Sequence, residues 1–475
     1  MQYGQTTVLG MGLLLGVVAA CGDVPAAAVP STAVIRVDAT GTAVVPTLTE
    51  QLFSTPAATE GTPYIPPATA TAAGSPGATQ TPTATVIPTT TAIPVPTPSP
   101  TPDVEECRRP YEAAVINGPT GPAPPADGDR VFRSLTVDPT NADVLVLGTE
   151  RNGFVRSEDG GVTWTRHRDG FRSLLDGYPE VWDADISRSN PQVVMAATLN
   201  SPGPPTGGFG EPGFYVSRDG GRTWSQSNCG FTTSRAVSVR MDASDPDVAV
   251  VGLEGGFPSF QGDTTYYPGG IFRTVDGGEN WTRIELGDGD GENGFWHMYA
   301  LATEPATFIT FGNGVGDLEL NLGFLRSRDA GATWEFFAPE MRPRPIADFA
   351  VSADGTHFYV NERDTYFGWV STDSGATWSQ SAVWQVNGPI AVSPANPKLV
   401  VFASPWDVRR STDGLATVNA VLETPSAIRD IVFAPSNPNV VYAELDGYVL
   451  YRSDDAGLTW RLVANIRNDV LNAQP

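Results

Sequence analysis

The sequence predicts an all-β protein, a seven-bladed β-propeller of four-stranded antiparallel blades preceded by a disordered Pro/Thr-rich stalk. Three observations carry that expectation. A motif of the form Ser/Thr-x-Asp-x-Gly-x-Thr/Asn-Trp occurs seven times in complete or degraded form, at 157–164, 217–224, 274–281, 327–334, 371–378, 411–418 and 453–460. Each copy directly follows a short β-branched or aromatic run. Successive copies are 60, 57, 53, 44, 40 and 42 residues apart, the period of repeated small sheets, which excludes the two or three separate domains that 475 residues would otherwise allow.

Each repeat divides into four strands. In the first, 133–137, 144–148, 153–157 and 163–166 alternate apolar and polar residues, and Asp138, Pro139, Thr140 and Asn141 supply the turn after the first run. Similar turn chemistry recurs at Asn190 and Pro191, Asp245 and Pro246, Asn396 and Pro397, and Asn437 and Pro438. The motif falls in the hairpin between strands three and four, where Asp, Ser and Thr oxygens can accept backbone N–H bonds and glycine supplies positive φ. Its tryptophan opens strand four and can plug the gap to a neighbouring sheet. A four-stranded sheet cannot bury two faces alone, so seven of them close into a ring. The sixth copy has Leu415 and Val418 in place of the usual Gly and Trp.

The chain ahead of the repeats differs in kind. Residues 1–20 contain an apolar run, 8–20, too short to span a bilayer, and fit a signal peptide. The small residues before Cys21 resemble a bacterial lipobox, which implies lipidation of Cys21; an ordinary secretory signal with an incidental Cys21 is the alternative, and the protein is exported on either. Residues 21–105 form the stalk: 24–104 hold 15 Pro and 19 Thr with little charge, and cannot bury enough surface to offset chain entropy. Extended as polyproline II at about 3.1 Å per residue, such a stalk lifts the domain clear of the membrane. A lead-in at 106–128, the propeller at 129–466 and a tail at 467–475 complete the chain. Beyond Cys21 only Cys107 and Cys229 remain, one possible disulfide in an oxidising compartment or else two buried thiols.

Charge removes several functions. With 29 basic against 53 acidic residues the net charge is −24, and Lys398 is the only lysine. Nucleic acid and anionic membrane surfaces both require basic contacts, so the membrane is met only through the lipid anchor.

The seven motifs resemble Asp-box (BNR) repeats, and 128–466 is similar to the propellers of the sialidase-like and sortilin-like superfamily. That group includes sialidases, xyloglucanases, sortilin-type receptor ectodomains and photosystem II assembly factors. The resemblance implies that Asp159, Asp219, Asp276, Asp329, Asp373, Asp413 and Asp455 are structural and lie on the face away from the ligand. It stops short of a sialidase, because Phe132, Arg133, Ser134 and Leu135 lack the proline of the sialidase signature. Xyloglucanases set two propellers around a cleft, and this chain has one.

Surplus length indicates the ligand side. A minimal repeat takes about 40 residues, and the excess falls at 171–182, 202–213, 255–270, 287–296 and 313–322, in strand-four-to-one connections or strand-two-to-three loops. Both loop classes emerge opposite the Asp boxes. Blades two to four thus build a wall containing Phe171, Tyr178, Trp182, Tyr266, Tyr267, Phe295 and Trp296 beside carboxylates such as Glu180. Tyr178, Trp182, Tyr266, Tyr267, Phe295 and Trp296 are the candidate ligand-binding residues; packing of the loops on one another is the alternative role for these rings. Asp288, Asp290 and Glu292 alternate like part of a calcium loop, so calcium is the one cofactor the pattern admits, although the loop's glycine and terminal Glu are misplaced. His167, His297 and His357 lack metal-ligand spacing.

Aligning first strands places Ser134, Asp183, Ser238, Tyr299, Asp348, Pro389 and Asp430 at one position near the channel mouth, where Asp183, Asp348 and Asp430 would make it negative. Two functions compete. One is a monomeric cell-surface binding or scaffold propeller recognising a glycan or protein through the loops of blades two to four, without catalytic residues. The other is a glycoside hydrolase acting on extracellular polysaccharide, which needs two carboxyls about 5–5.5 Å or 6.5–9.5 Å apart, one with a raised pKa.

Overall fold

The computed structural model describes residues 132–465 apart from 150–152, 172–177, 200–212, 234, 256–267, 287–292, 296, 304, 315–322, 343, 364, 366, 385–387 and 447–448. The expected leader, stalk, lead-in and tail lie outside the described residues, as do Cys21 and Cys107. Among the described residues no helix is long and apolar enough to cross a membrane.

Seven antiparallel sheets follow one another along the chain. Blade one runs through Phe132–Val137, Leu145–Thr149, Phe154–Ser157 and Thr165–His167, within two residues of the expected bounds. The innermost strands of the following blades are Glu180–Ile186, Ala236–Met241, Met298–Leu301, Ile346–Val351, Ile390–Ser393 and Ile428–Phe433. Blade four departs from the pattern. Its inner edge is broken into Asn293–Gly294 and Met298–Leu301, both paired with Thr307–Gly314.

The apolar core is divided among the seven seams between blades. Leu135, Leu147 and Val155 of blade one pack with Val440, Tyr442 and Leu450 of blade seven, and a corresponding cluster fills every other seam. A second strand is covered on both faces by its neighbours, which is why Leu145–Thr149, Val194–Leu199 and Ala249–Leu253 are buried throughout. The box tryptophans pack backwards into the seam with the preceding blade. Trp224 stacks on Phe154 of blade one at 4.5 Å, and Trp281 meets Phe214 of blade two edge-on at 4.9 Å. Val418 takes this place in blade six.

Each box is a closed hydrogen-bond circuit. In the first, Ser157 Oγ donates to Asp159 Oδ1 at 2.9 Å, Gly161 N–H donates back to Ser157 Oγ at 2.9 Å, and Thr163 donates its N–H and hydroxyl to the two carboxylate oxygens at 2.8 and 2.6 Å. The other six repeat the circuit, with Asn280 standing for Thr in the third and Leu415, at φ 67°, standing for Gly in the sixth. Between blades, an arginine just before the box reaches the next blade's box turn. Arg156 donates to Gly220 O at 3.0 Å, Arg273 to Ala330 O at 2.7 Å and Arg410 to Ala456 O at 2.9 Å.

The box hairpins and the first-to-second turns share one face, joined by bonds such as Gly160 N–H to Asp143 O at 2.8 Å and Gly277 N–H to Asp247 O at 2.9 Å. Second-to-third loops and fourth-to-first connections therefore leave the strands at the opposite face. The described strands flanking all five lengthened stretches open toward that face.

Candidate functional site

Innermost strands begin at the long-loop face, so inward-facing residues near their starts stand at the mouth of the central channel. The channel encloses about 460 Å³ and is lined from all seven blades, with Asp183, Tyr299, Asp348, Pro389 and Asp430 in its wall. Five inner strands carry a register shift just ahead of the ring position, at Ser134, Asp183, Ser238, Asp348 and Asp430. A bulge there increases the local twist and re-aims the side chain.

The three aspartates bond across the seams. Asp183 Oδ2 accepts Val239 N–H of blade three at 3.0 Å, Asp348 Oδ2 accepts Ile390 N–H of blade six at 3.1 Å, and Asp430 Oδ2 accepts Leu135 N–H of blade one at 3.3 Å. The remaining oxygens of Asp183 and Asp348 accept the N–H of the next residue in their own strands, at 3.0 and 2.8 Å. In each case the partner lies one residue after the ring position of the following blade. The mouth carboxylates are thus inter-blade fastenings.

Counter-charges divide the mouth into unlike sectors. Arg240 Nη1 pairs with Asp183 Oδ2 at 2.6 Å, and Asp185 behind it accepts Met241 N–H at 2.7 Å. Burial pushes Asp185 up to about 6, against the opposing pull of Arg240. On the other side His297, carried by the break in blade four, brings Nδ1 to 3.2 Å from Asp348 Oδ1. Burial raises Asp348, and His297 opposes that rise. Burial takes Asp430 to about 7, and the charge of Asp348 adds to the effect.

Across the strand pair from Asp430 stands Glu444, 1% exposed, with neither carboxylate oxygen hydrogen-bonded. Burial, reinforced by Asp430, raises it well above the ordinary carboxylate range. The residues across from Ser134, Asp183 and Ser238 are Gly148, Ala197 and Gly252. Blade five has Asn361 there, and its amide donates to Gly388 O of blade six.

Other expected site residues are distributed differently. Tyr178 is half-buried with the Arg168 guanidinium 5.2 Å from its ring centre, and Trp182 is half-buried in the channel wall. Phe295 corrects the expected wall: it is fully buried in the blade three–four seam with Val250 and Met298, and its carbonyl accepts the Ser238 hydroxyl. Phe171 and Glu180 are likewise buried, at 6% and 1% exposure, because the strand and connection that hold them turn inward against neighbouring blades. Tyr266, Tyr267, Trp296, Asp288, Asp290 and Glu292 lie outside the described residues. Among the described residues no group of three or more His, Cys, Asp or Glu is placed to hold a metal. Cys229 is disulfide-bonded, and its partner lies outside the described residues.

Trp406, 74% exposed on the second-to-third hairpin of blade six, lies outside the sequence-predicted wall because its loop is short and carries no surplus length. Sequence reasoning also missed Arg240 and Asp185, two residues after ring positions on inner strands. That spacing, which returns a side chain to the same face of a strand, was the available signal.

The BNR/Asp-box repeat family matches residues 215–226, the third strand and box of blade two. Over 211 residues the chain is 26% identical to xyloglucanase Xgh74A of Acetivibrio thermocellus, covering 41% of this chain and 23% of that protein. A xyloglucanase of Hypocrea jecorina is 22% identical over 267 residues, covering 53% of this chain and 25% of the relative. The chain therefore spans about a quarter of the length of these curated relatives. Among solved structures, YCF48 from Cyanidioschyzon merolae is similar at a TM-score of 0.43 and 17% identity, over 62% of this chain and 88% of that one. An ancestral GH74 enzyme is similar at 0.31 and 13% identity, over 70% of each chain. By its seven sheets, its seven hydrogen-bonded boxes and the matching repeat, this chain is a seven-bladed β-propeller built on Asp-box repeats.

Proposed function

We propose that the protein is an exported binding or scaffold propeller, anchored at Cys21 and raised on its stalk, that recognises a glycan or a protein at the long-loop face as a monomer. The observation that carries this reading is the segregation of the molecule into two faces. One is closed by box circuits, and toward the other open the described strands that flank every lengthened stretch, together with the channel mouth. A rigid ring presenting loops of unequal length on one side is suited to recognition. The fastening bonds of Asp183, Asp348 and Asp430 argue for a structural use of those carboxylates rather than a catalytic one.

Glycoside hydrolysis of an extracellular polysaccharide is the second reading. It is favoured by Asp430, whose carboxyl at about 7 is suited to a general acid, and by the xyloglucanases among the curated relatives. Incubating the full-length protein with xyloglucan and mixed-linkage glucan separates the two. Binding without new reducing ends supports recognition; turnover lost in Asp430→Asn and Asp183→Asn would establish the hydrolase instead. A glycan and protein array, with Trp296→Ala and Tyr267→Ala as comparisons, tests the loops of blades two to four.

A further inference from the structure

The described part of the long-loop face holds a second sector, on blades six and seven. The hairpin joining Asn396–Ser404 to Asp407–Ser411 closes with Ser404 paired to Asp407, so Pro405 and Trp406 alone form its tip. This short turn fixes the backbone beneath the indole. Thr424 N–H donates to Trp406 O at 3.0 Å, tying the hairpin to the connection that leads into blade seven. Farther along, Ser426 Oγ donates to Asp446 O at 2.8 Å and Asp446 N–H donates to Ala427 O at 2.8 Å. Asp446 in turn pairs with Arg429, whose neighbour Asp430 stands at the channel mouth. Trp406, the connection, the Arg429–Asp446 pair and the mouth therefore form one continuous, braced strip.

Of the large apolar residues that are more than half exposed among those described, Val162, Val275 and Leu458 belong to box hairpins, while Phe336 and Leu462 lie on outermost strands. Among the described residues, Trp406 alone of these six stands on the long-loop face. A protein interface needs a clustered apolar centre rather than one isolated ring. A single flat indole instead matches the apolar C–H face of one pyranose ring. Arg429 and Asp446 have exposed donor and acceptor atoms, with side chains 45% and 32% exposed, as vicinal hydroxyls require. Carboxylates at the mouth and a net charge of −24 disfavour an acidic sugar.

We infer that Trp406 is the stacking platform of a subsite for a neutral saccharide, with Arg429 and Asp446 addressing its hydroxyls and the chain directed toward the channel mouth. This rests on the binding reading proposed above and specifies its ligand class on a sector away from the loops of blades two to four. Affinity electrophoresis of the full-length protein in gels containing hydroxyethyl cellulose, galactomannan or pullulan provides the test. The wild type should be retarded by at least one polymer, Trp406→Ala should weaken that retention roughly tenfold or more, and Trp406→Phe should retain part of it. Phe336→Ala, which removes an exposed ring from an outermost strand, should leave retention unchanged. Retention of the wild type and Trp406→Ala to the same degree overturns the subsite while leaving the binding face standing. Failure of all three polymers to retard the wild type overturns the neutral-saccharide assignment, and a protein ligand found on the array would still sustain the broader reading.

Discussion

Asp430, in the last blade, accepts the backbone N–H of Leu135, in the first, at 3.3 Å. Among the described residues no blade contains strands from both ends of the chain, so the ring is closed by packing and hydrogen bonds rather than by a shared sheet. Tyr442 Oη to Ala142 O at 2.9 Å and Arg452 to Asp143 secure the same seam farther from the mouth. Asp430→Ala leaves Leu135 N–H without its acceptor, and urea unfolding should show a loss of about 1–3 kcal/mol. Asp430→Asn retains an acceptor oxygen and should lose clearly less. Equal losses in the two variants would remove the fastening role.

The same seam should make stability depend on pH. Asp430 rises from 3.8 to about 7 on folding, and Glu444 rises well above 4.5, so the folded state holds protons that the unfolded chain gives up. Stability from these groups is complete below the unfolded values and falls as pH climbs through the folded ones. Asp348, Asp183, Arg429 and Asp446 also act on the pair and set its background field. Melting temperature should decline as pH climbs above the unfolded carboxylate values, and Glu444→Gln should make that decline shallower. An unchanged slope in Glu444→Gln would show that Glu444 is not a source of the decline.

The boxes should respond in the opposite direction. Hydrogen bonds from the Thr377 and Thr417 hydroxyls and backbone hold Asp373 and Asp413 down to about 2. Their contribution is present above the unfolded value of 3.8 and is lost as pH falls toward 2. Asp373→Asn should lower neutral-pH stability and reduce the loss between those two limits. Parallel acid unfolding curves for variant and wild type would contradict the assignment.

Backbone strain in the fifth and seventh boxes gives a further test, on side chains no larger than Ser. Ala456 sits at φ 58° and Ser374 at φ 60°, where the equivalent residues of the first three boxes are glycines. Ala456→Gly and Ser374→Gly should each stabilise the protein, by about 1 kcal/mol. Leu415→Gly should not, because Leu415 is buried in the blade five–six seam and its loss opens a cavity.

The fold was readable because each blade repeats a local rule. Asp159 and its six counterparts need only a Ser or Thr two residues earlier and a Thr or Asn four later, a relationship visible within eight letters. The ring position could also be found by alignment, which brought Asp183, Asp348 and Asp430 to the mouth. What they bond to could not, because Val239, Ile390 and Leu135 belong to neighbouring blades and the bulges that aim the carboxylates arise from pairing between strands. Phe295 misled for a related reason: an aromatic in a long connection looks ligand-facing until the broken inner edge of blade four draws it into a seam. Trp406 escaped notice because loop length locates insertions, while an exposed ring on a tight hairpin leaves no length signal.

The division into a closed box face and an open recognition face is tested most directly by obstructing each in turn. A large polyethylene glycol coupled to cysteine in Val162→Cys occupies the box face, and the same adduct in Ser426→Cys occupies the strip between Trp406 and the mouth. Retention by the polymer or array ligand that the wild type binds should survive the first modification and disappear with the second. Loss of retention on blocking position 162, with retention intact on blocking 426, would place recognition on the face of the box circuits and contradict the division.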